Sequence, residues 1–181
     1  MSNMKLILVR HGETEENVNN LLVGKNDGKL TTEGIKQSKK IGKELKEKYK
    51  IDMIFCSPLK RCVDTLENIL CEYTFEGSIF MSKLIEERDF GEYTGMESVL
   101  MDWKIINQDS KINREMGVES LMDMAKRVNL FLEDLKLEDK NSTILIISHE
   151  GPIKVMAAKI TGKTFDEINV KNAEIIEFDL L

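Results

Sequence analysis

The chain has 181 residues, of which 41% are hydrophobic and 32% charged, and its formal net charge is −6. This length and apolar content predict a single domain over residues 1–181, while the negative charge argues against a general binder of nucleic acid or of anionic membranes. No apolar stretch approaches the ~20 residues that cross a bilayer, so no membrane partner is expected. We expect no signal peptide, because a strand-like segment begins almost at once. Three cysteines without close spacing fit packing residues in a reducing cytoplasm.

The first half of the chain alternates predicted strands with predicted helices. The predicted elements are a buried strand over 4–9, a loop over 17–30, a helix from Thr31 or Thr32 to about Tyr49, a strand over 53–57 and a helix whose first turn holds Pro58. Alternating spacings of three and four predict the inner face of the first helix: Ile35, Ser38, Gly42, Leu45 and Tyr49.

The second half repeats this alternation around a less regular segment. The predicted elements are a short strand at Ile79 and Phe80, an irregular stretch over 83–95, a helical insert over 96–117, a helix over 120–135, a strand over 143–147, a helix from near Pro152 and a closing strand over 173–180. Together they predict an α/β fold, a three-layer sandwich in which helices flank both faces of a mostly parallel central sheet.

Polar clusters follow three of the predicted strands: Arg10-His11-Gly12, Ser57 to Arg61, and Ser148-His149. In open α/β sheets, ligands bind beyond the carboxyl ends of the strands. Both histidines and two of the five arginines lie in these clusters. Taken singly, each would be interpreted as a structural residue or a surface ion pair. Because arginine is a planar, permanently charged donor that suits phosphoryl oxygens, the clusters together predict an oxyanion site.

The same residues resemble the signature motifs of the histidine phosphatase superfamily, which is also called the phosphoglycerate-mutase-like family. Six segments match in family order: Leu8–Thr14 with Asn17, 24–34, 57–65, 85–95, 117–127 and 148–151. Six motifs in register make the resemblance specific. In the last motif, Glu150 stands where the family has glycine, and it would either raise the pKa of His149 or face the solvent.

The resemblance implies a role for each polar residue of the clusters. His11 would be the nucleophile that attacks phosphorus and becomes a phosphohistidine. Arg10, Asn17, Arg61 and His149 would bind the oxygens of the phosphoryl group, and their fixed positive charge would be the largest catalytic contribution.

The resemblance also implies a general acid, for which two neighbouring glutamates compete. Glu87 is the candidate that protonates the leaving group and later activates water, because it stands four residues before Gly91 as the family motif requires. Glu86 is the alternative. No metal and no other cofactor is expected, since two arginines already supply the charge that a cation would bring.

The activity that follows from the resemblance is that of a metal-independent phosphomonoesterase acting on small soluble phosphate esters. The insert over 96–117 would be a small helical cap at the rim of the pocket, short enough to admit water to the phosphohistidine. The alternatives are a phosphoglycerate mutase, an α-ribazole-phosphate phosphatase and, from another class, an inactive relative that binds phosphorylated ligands. We expect a monomer or homodimer located in the cytoplasm.

Overall fold

The fold is built on a five-stranded sheet in a computed structural model that describes residues 4–138 and 141–180. The strands are β1 (Met4–Arg10), β2 (Met53–Cys56), β3 (Ser78–Met81), β4 (Thr143–Ser148) and β5 (Ile175–Leu180). Their order across the sheet is β3-β2-β4-β1-β5. The first four are parallel and β5 is antiparallel to β1, which confirms the predicted mostly parallel sheet.

Helices cover both faces of this sheet. They are α1 (Glu15–Val18), α2 (Thr32–Lys48), α3 (Lys60–Leu70), α4 (Trp103–Ile106), α5 (Lys111–Glu115), α6 (Leu121–Leu135) and α7 (Glu150–Thr161). Short 3₁₀ turns occupy Lys83–Ile85, Gly91–Tyr93, Ser98–Leu100 and Phe165–Glu167. Among the described residues, no helix is long and apolar enough to cross a membrane.

The central strands are apolar on both sides because each side faces a layer of helices. Leu6, Leu8, Ile144 and Ile146 pack into one core cluster with residues of α6 and α7. Alternate residues of the same strands pack into a second cluster with α2 and α3, namely Ile7, Val9, Leu145 and Ile147. Burial of each such side chain stabilises the fold by about 1.5–3 kcal/mol. The continuous apolar runs of β1 and β4 are therefore typical of central parallel strands.

One prediction for α2 is wrong. Ile35, expected on the inner face, is 37% exposed, whereas Ile41 is buried. The cause is Gly34, where a Cβ would lie 2.1 Å from the carbonyl oxygen of Glu13. Only glycine allows this close approach, and it turns the Gly34 edge of the helix inward instead of the Ile35 edge.

Two predicted boundaries also differ from the structure. Pro58 does not lie in the first turn of α3, which begins at Lys60 with Leu59 as its N-cap. The Ser57 hydroxyl accepts a hydrogen bond from the Leu59 amide at 3.4 Å, so a short turn separates β2 from the helix. The predicted loop over 17–30 begins within α1, where the Thr14 hydroxyl caps the helix by accepting from the Asn17 amide.

The segment over 96–117 forms only short helical turns, including α4 and α5. Arg88 ties it to the domain, because its guanidinium donates to the Ile106 carbonyl, the Asn107 side chain and the Glu119 carbonyl. The buried Arg88 thus holds one part of the insert, while backbone hydrogen bonds from the Leu22 amide to Met96 and from the Ser98 amide to Asn20 hold its beginning.

Candidate active site

The sheet topology brings the three predicted polar clusters to one edge. β1 and β4 pair in parallel with Arg10 opposite Ser148, so the residues that follow each strand emerge together. The ring centroids of His11 and His149 lie 5.3 Å apart in an edge-to-face arrangement. Two histidines separated by most of the chain thus meet at the carboxyl ends of adjacent strands, as expected for an open α/β sheet.

The hydrogen bonds of His11 define which of its nitrogens can react. Nδ1 lies 2.8 Å from the Gly12 carbonyl oxygen, which can only accept, so Nδ1 carries the proton. Nε2 therefore keeps its lone pair, and it accepts from Nε of Arg61 at 3.2 Å. Burial lowers the pKa of His11 well below 6.5, and the charges of Arg61 and Arg10 lower it further. The ring is a neutral imidazole with a nucleophilic Nε2.

Arg61 is buried and fixed by the backbone of a loop. Nη1 donates to the carbonyl oxygen of Asn26 at 2.8 Å, and Nη2 donates to that of Gly24 at 2.7 Å. Its Nε is left for His11. Because its nitrogens are held on three sides, the positive charge is fixed in position before any ligand arrives, as electrostatic catalysis requires.

In Arg10, one guanidinium nitrogen has hydrogen-bond partners and another has none. Its Nη1 donates to the Val170 carbonyl at 2.6 Å and pairs with a carboxylate oxygen of Glu150 at 2.8 Å. Its Nε is buried and has no hydrogen-bond partner among the described residues. A buried N–H without an acceptor is costly, so this atom is a ready donor to a ligand oxygen at the cavity wall.

Asn17 is oriented by two donors to its side-chain oxygen. The Thr14 amide donates to Oδ1 at 3.2 Å, and Nδ2 of Asn172 donates to it at 2.9 Å. Its NH₂ group therefore remains available in the cavity that Asn17 lines. Asn172 also donates to the His11 carbonyl at 3.2 Å. Sequence reasoning missed Asn172, which belongs to no motif and reaches the site only because β5 pairs beside β1.

His149 lies beside His11 but does not line the cavity. It is completely buried, and its Nε2 is 2.7 Å from the Ser57 hydroxyl and 3.4 Å from Sγ of Cys62. Burial lowers its pKa well below 6.5, with Arg61 and His11 contributing in the same direction. That His149 contacts the phosphoryl group stays a prediction.

The cavity at this edge has a volume of about 610 Å³, and its lining includes Arg10, His11, Asn17, Arg61 and Glu87. Five of the predicted site residues thus share one space. Their arrangement can bind a phosphoryl group at the end of the cavity beside His11, with a carboxylate on another wall.

The two competing glutamates are separated clearly by their surroundings. Glu87 lines the cavity and accepts from the Arg88 amide at 2.8 Å and the Gly151 amide at 3.4 Å. A Cβ at Gly151 would lie 2.5 Å from Glu87 Oε1, so glycine makes room for this carboxylate. Glu86 instead lies 3.9 Å from the ammonium of Lys25 and is absent from the described lining. The geometry favours Glu87.

A partly buried ion pair holds the backbone that carries Glu87. Arg127 pairs with Glu119 at 2.6 Å, and the remaining donors of its guanidinium reach the carbonyl oxygens of Leu84, Glu86 and Glu87. Sequence reasoning placed Glu119 and Arg127 in a matching motif but gave them no part in the site. Their side chains act through the loop backbone, which the residue spacing does not reveal.

Of the two expectations for Glu150, a raised pKa of His149 is wrong, and exposure to solvent holds only in part, because the side chain is 39% exposed but also makes ion pairs. The pKa of His149 is lowered, not raised, and the Glu150 carboxylate is paired. One oxygen contacts Arg10 at 2.8 Å, and the other contacts the ammonium of Lys154 at 2.9 Å. The carboxylate therefore bridges two cations at the cavity wall.

Apolar side chains form part of the cavity wall. Phe90 and Trp103 form an edge-to-face pair with centroids 6.0 Å apart. Other apolar lining residues are Leu21, Leu22, Val23, Leu121, Met124 and Phe165. Within 4–138 and 141–180, no three His, Cys, Asp or Glu side chains converge as a metal-binding cluster.

The comparisons with known proteins agree with this geometry. The family model of the histidine phosphatase superfamily (branch 1) matches residues 6–180. A probable phosphatase of Schizosaccharomyces pombe is 32% identical, covering 97% of this chain and 83% of the relative. A 2,3-bisphosphoglycerate-dependent phosphoglycerate mutase of Mesorhizobium japonicum is 30% identical, covering 90% of this chain and 84% of the relative.

A solved structure shows the same fold. Phosphoserine phosphatase from Entamoeba histolytica, in complex with 3-phosphoglyceric acid, superimposes with a TM-score of 0.79 at 28% identity, covering 97% of this chain and 90% of that one. The match to the family model extends over nearly the whole chain and includes all three strand-end clusters. The chain belongs to branch 1 of the histidine phosphatase superfamily.

Proposed function

We propose that this protein is a phosphomonoesterase that hydrolyses small phosphate esters through a phosphohistidine at His11. The observation that carries the proposal is the state of the His11 ring. Its Nδ1 proton is committed to the Gly12 carbonyl, and its neutral Nε2 lies at the cavity between two arginines. Such a nitrogen is a nucleophile placed where negative charge is stabilised.

In the first step, Nε2 of His11 attacks phosphorus and the bond from phosphorus to the ester oxygen breaks. Glu87, in its acid form, donates its proton to the departing oxygen, which leaves as an alcohol. As Nε2 attacks, it gives up the hydrogen bond from Nε of Arg61, and this N–H turns to one phosphoryl oxygen while Arg10 and the amide of Asn17 bind the other two. Catalysis by positioning and fixed charge is typical of phosphoryl transfer.

In the second step, water replaces the alcohol. The Glu87 carboxylate takes a proton from the water, whose oxygen attacks phosphorus as the bond from phosphorus to Nε2 breaks. Inorganic phosphate leaves, and His11 returns to its neutral form. His149 stays a candidate phosphate ligand; binding through its ring would require the bond to the Ser57 hydroxyl to be given up or shared.

Hydrolysis, rather than return of the phosphoryl group to a product, needs water beside the phosphohistidine. A cavity of about 610 Å³ holds several waters besides a small alcohol, since one water occupies about 30 Å³ in the liquid. Hydrolysis requires this room for water, and we expect a phosphatase rather than a phosphoglycerate mutase. An α-ribazole-phosphate phosphatase is one substrate-specific version of the same proposal.

We further propose a single domain whose segment 96–117 acts as a small cap. Ser98, Trp103 and Asn107 of this segment line the cavity, which supports that role. The free thiols of Cys56, Cys62 and Cys71 fit a cytoplasmic location. The partner would be the small ester alone, with the protein acting as a monomer or homodimer.

Release of inorganic phosphate tests the proposal. Purified protein is incubated with p-nitrophenyl phosphate and a panel of sugar, glycerate, nucleotide and vitamin phosphates, with and without EDTA. We expect phosphate release that EDTA does not reduce. Conversion of 3-phosphoglycerate to its 2-isomer with little phosphate release would establish a mutase instead. A stable His11 adduct with no turnover on any ester would establish the inactive, ligand-binding relative.

A further inference from the structure

The charged residues of the cavity wall form two groups. Seven formally charged residues line it in the described part of the chain: Arg10, Arg61, Glu87, Arg88, Glu150, Lys154 and Asp166. The first three are assigned to the phosphoryl group and to proton transfer. The other four are the charged groups that remain to meet the leaving group of the ester.

Both cations in this second group already have partners among the described residues. Arg88 is 3% exposed, and its Nε, Nη1 and Nη2 all donate to protein oxygens. The ammonium of Lys154 pairs with Glu150 at 2.9 Å and lies 5.2 Å from the ring centroid of Phe165. An incoming carboxylate that used a remaining N–H of Lys154 would therefore lie beside the Glu150 carboxylate.

Glu150 is the residue that neutralises this wall. Each of its two carboxylate oxygens contacts a different cation, Arg10 on one side and Lys154 on the other. Asp166 adds a second negative charge to the same lining. Outside the groups assigned to the phosphoryl group and to proton transfer, the lining therefore offers two carboxylates and, among the described residues, no cation without a partner. Its other residues include apolar and aromatic side chains together with the neutral polar Asn20, Ser98 and Asn107.

We propose that Glu150 is a specificity-determining residue. Through it, the cavity prefers phosphate esters whose leaving group is uncharged and largely apolar. Esters whose leaving group carries a second anionic group are disfavoured. The inference rests on the proposed function and names its substrate class. A second carboxylate or phosphate would lie beside the Glu150 carboxylate, where the nearby cations already have partners, and like charges placed together are unfavourable. A phenyl or alkyl group would instead pack against Phe90 and Trp103.

A pair of esters matched in chemistry tests this proposal. Phenyl phosphate and 4-carboxyphenyl phosphate have leaving phenols of similar acidity, so a difference in kcat/KM reports the added carboxylate. The wild-type protein should prefer phenyl phosphate by at least about tenfold at pH 7. Because both esters are measured on the same enzyme, any effect on Arg10 or on the active fraction cancels in the ratio.

Substitutions at the ion pair then move this ratio in opposite directions. Glu150→Gln frees Lys154 and should reduce the preference for phenyl phosphate roughly tenfold. Lys154→Gln should leave the preference for phenyl phosphate intact or increase it. The double variant should lose the improved relative activity on 4-carboxyphenyl phosphate that Glu150→Gln produced. The matched control is Glu133→Gln, which removes an equal charge from an exposed ion pair with Lys136 and should leave the ratio unchanged.

Each contrary result has a distinct meaning. A wild-type ratio near one, or an equal ratio in Glu150→Gln and wild type, overturns the specificity role while leaving the phosphatase proposal intact. A ratio that rises equally in Glu150→Gln and Lys154→Gln also overturns it, because opposite charges must act oppositely. Absence of turnover with both esters, and with p-nitrophenyl phosphate, overturns the proposed function and this inference with it.

Discussion

The two ends of the cavity are built in different ways. At the phosphoryl end, His11 and Arg61 are buried, and both are held by backbone carbonyls, as Arg61 is by Gly24 and Asn26. The leaving-group end is formed by loops and by the segment 96–117, where Val99 is 71% and Leu100 73% exposed. The residues proposed for phosphoryl transfer therefore lie at the strand ends, whereas the proposed selectivity depends on loops, on the segment 96–117 and on Glu150 at the start of α7.

Glu87 connects the two ends. Its loop is fixed to α6 by Arg127, and its carboxylate is held at the start of α7 by the Gly151 amide. Substitutions at the phosphoryl end should abolish turnover of every ester. Substitutions at the leaving-group end should change which esters are hydrolysed. Substitution of Glu87 should both reduce turnover and change the relative rates of different esters.

The largest effect is expected at His11. His11→Ala removes the nucleophile, so kcat for all esters should fall by ~10⁴-fold or more, together with any acid-labile phosphoenzyme. Initial rates of phosphate release measure the loss, and far-UV circular dichroism checks the fold. Appreciable turnover in a folded variant would contradict the nucleophile assignment.

Glu87→Gln should distinguish esters by leaving group. An alkyl phosphate needs a proton on its departing oxygen, so its kcat should fall by ~10²–10⁴-fold, whereas p-nitrophenyl phosphate should lose far less. Paired kinetics on the two esters measure the difference. Glu86→Gln is the control, because Glu86 faces Lys25 and should leave both rates nearly unchanged. Equal losses on both esters would reject the general-acid role.

Acid should weaken the fold through the two buried histidines. Burial holds the pKa of His11 and of His149 well below 6.5 in the folded protein. Below pH 6.5 the unfolded chain binds protons that the folded chain does not, so the free energy of unfolding falls as pH decreases.

Between about pH 6.5 and 5.5, the free energy of unfolding should fall by at most about 2.7 kcal/mol per pH unit for two protons. Above that range the two histidines should cause little change with pH. Urea unfolding at several pH values measures it. His11→Ala should remove about half of the slope. A slope that is unchanged in this variant would show that His11 titrates normally in the folded state.

Arg127→Met should reduce the turnover of an alkyl phosphate more than that of p-nitrophenyl phosphate, as Glu87→Gln does, but by a smaller factor. The variant removes the donors to the carbonyls of Leu84, Glu86 and Glu87, so the carboxylate is less well placed. Alkyl phosphate turnover should fall about tenfold, and p-nitrophenyl phosphate turnover should fall less. Arg114→Met, which breaks an exposed ion pair with Asp109, is the control. A uniform loss on both esters would assign Arg127 a purely structural role.

The smallest effect is expected at Trp103. Trp103→Ala removes part of the aromatic wall beside Phe90, so KM for phenyl phosphate should rise by roughly threefold to tenfold with little change in kcat. Steady-state kinetics with phenyl phosphate and with a small alkyl phosphate separate the two constants. A fall in kcat with constant KM would place Trp103 at the phosphoryl end instead.

The sequence was informative where a residue pattern is compatible with only one structural arrangement. The apolar runs of β1 and β4 must be buried on both sides, and polar residues after parallel strands must meet at one edge, so the convergence of His11 with His149 was predictable. The inner face of α2 was not, because the approach of Gly34 to Glu13 depends on a neighbouring loop.

The contacts that refine the site were outside the reach of sequence reasoning for the same reason. Asn172 is distant in the chain and belongs to no motif, yet it orients Asn17. The pairing of Glu150 with both Arg10 and Lys154 depends on how the start of α7 faces β1. Local spacing does not encode such long-range geometry.

Trapping of the phosphorylated protein tests the central claim most directly. Wild-type protein is mixed with p-nitrophenyl phosphate, denatured with base within milliseconds, digested, and analysed by mass spectrometry under conditions that preserve phosphohistidine. The account predicts one acid-labile phosphoryl group on His11, formed at a rate no slower than turnover. Phosphorylation of another residue, or full turnover with no labelled His11, would contradict it.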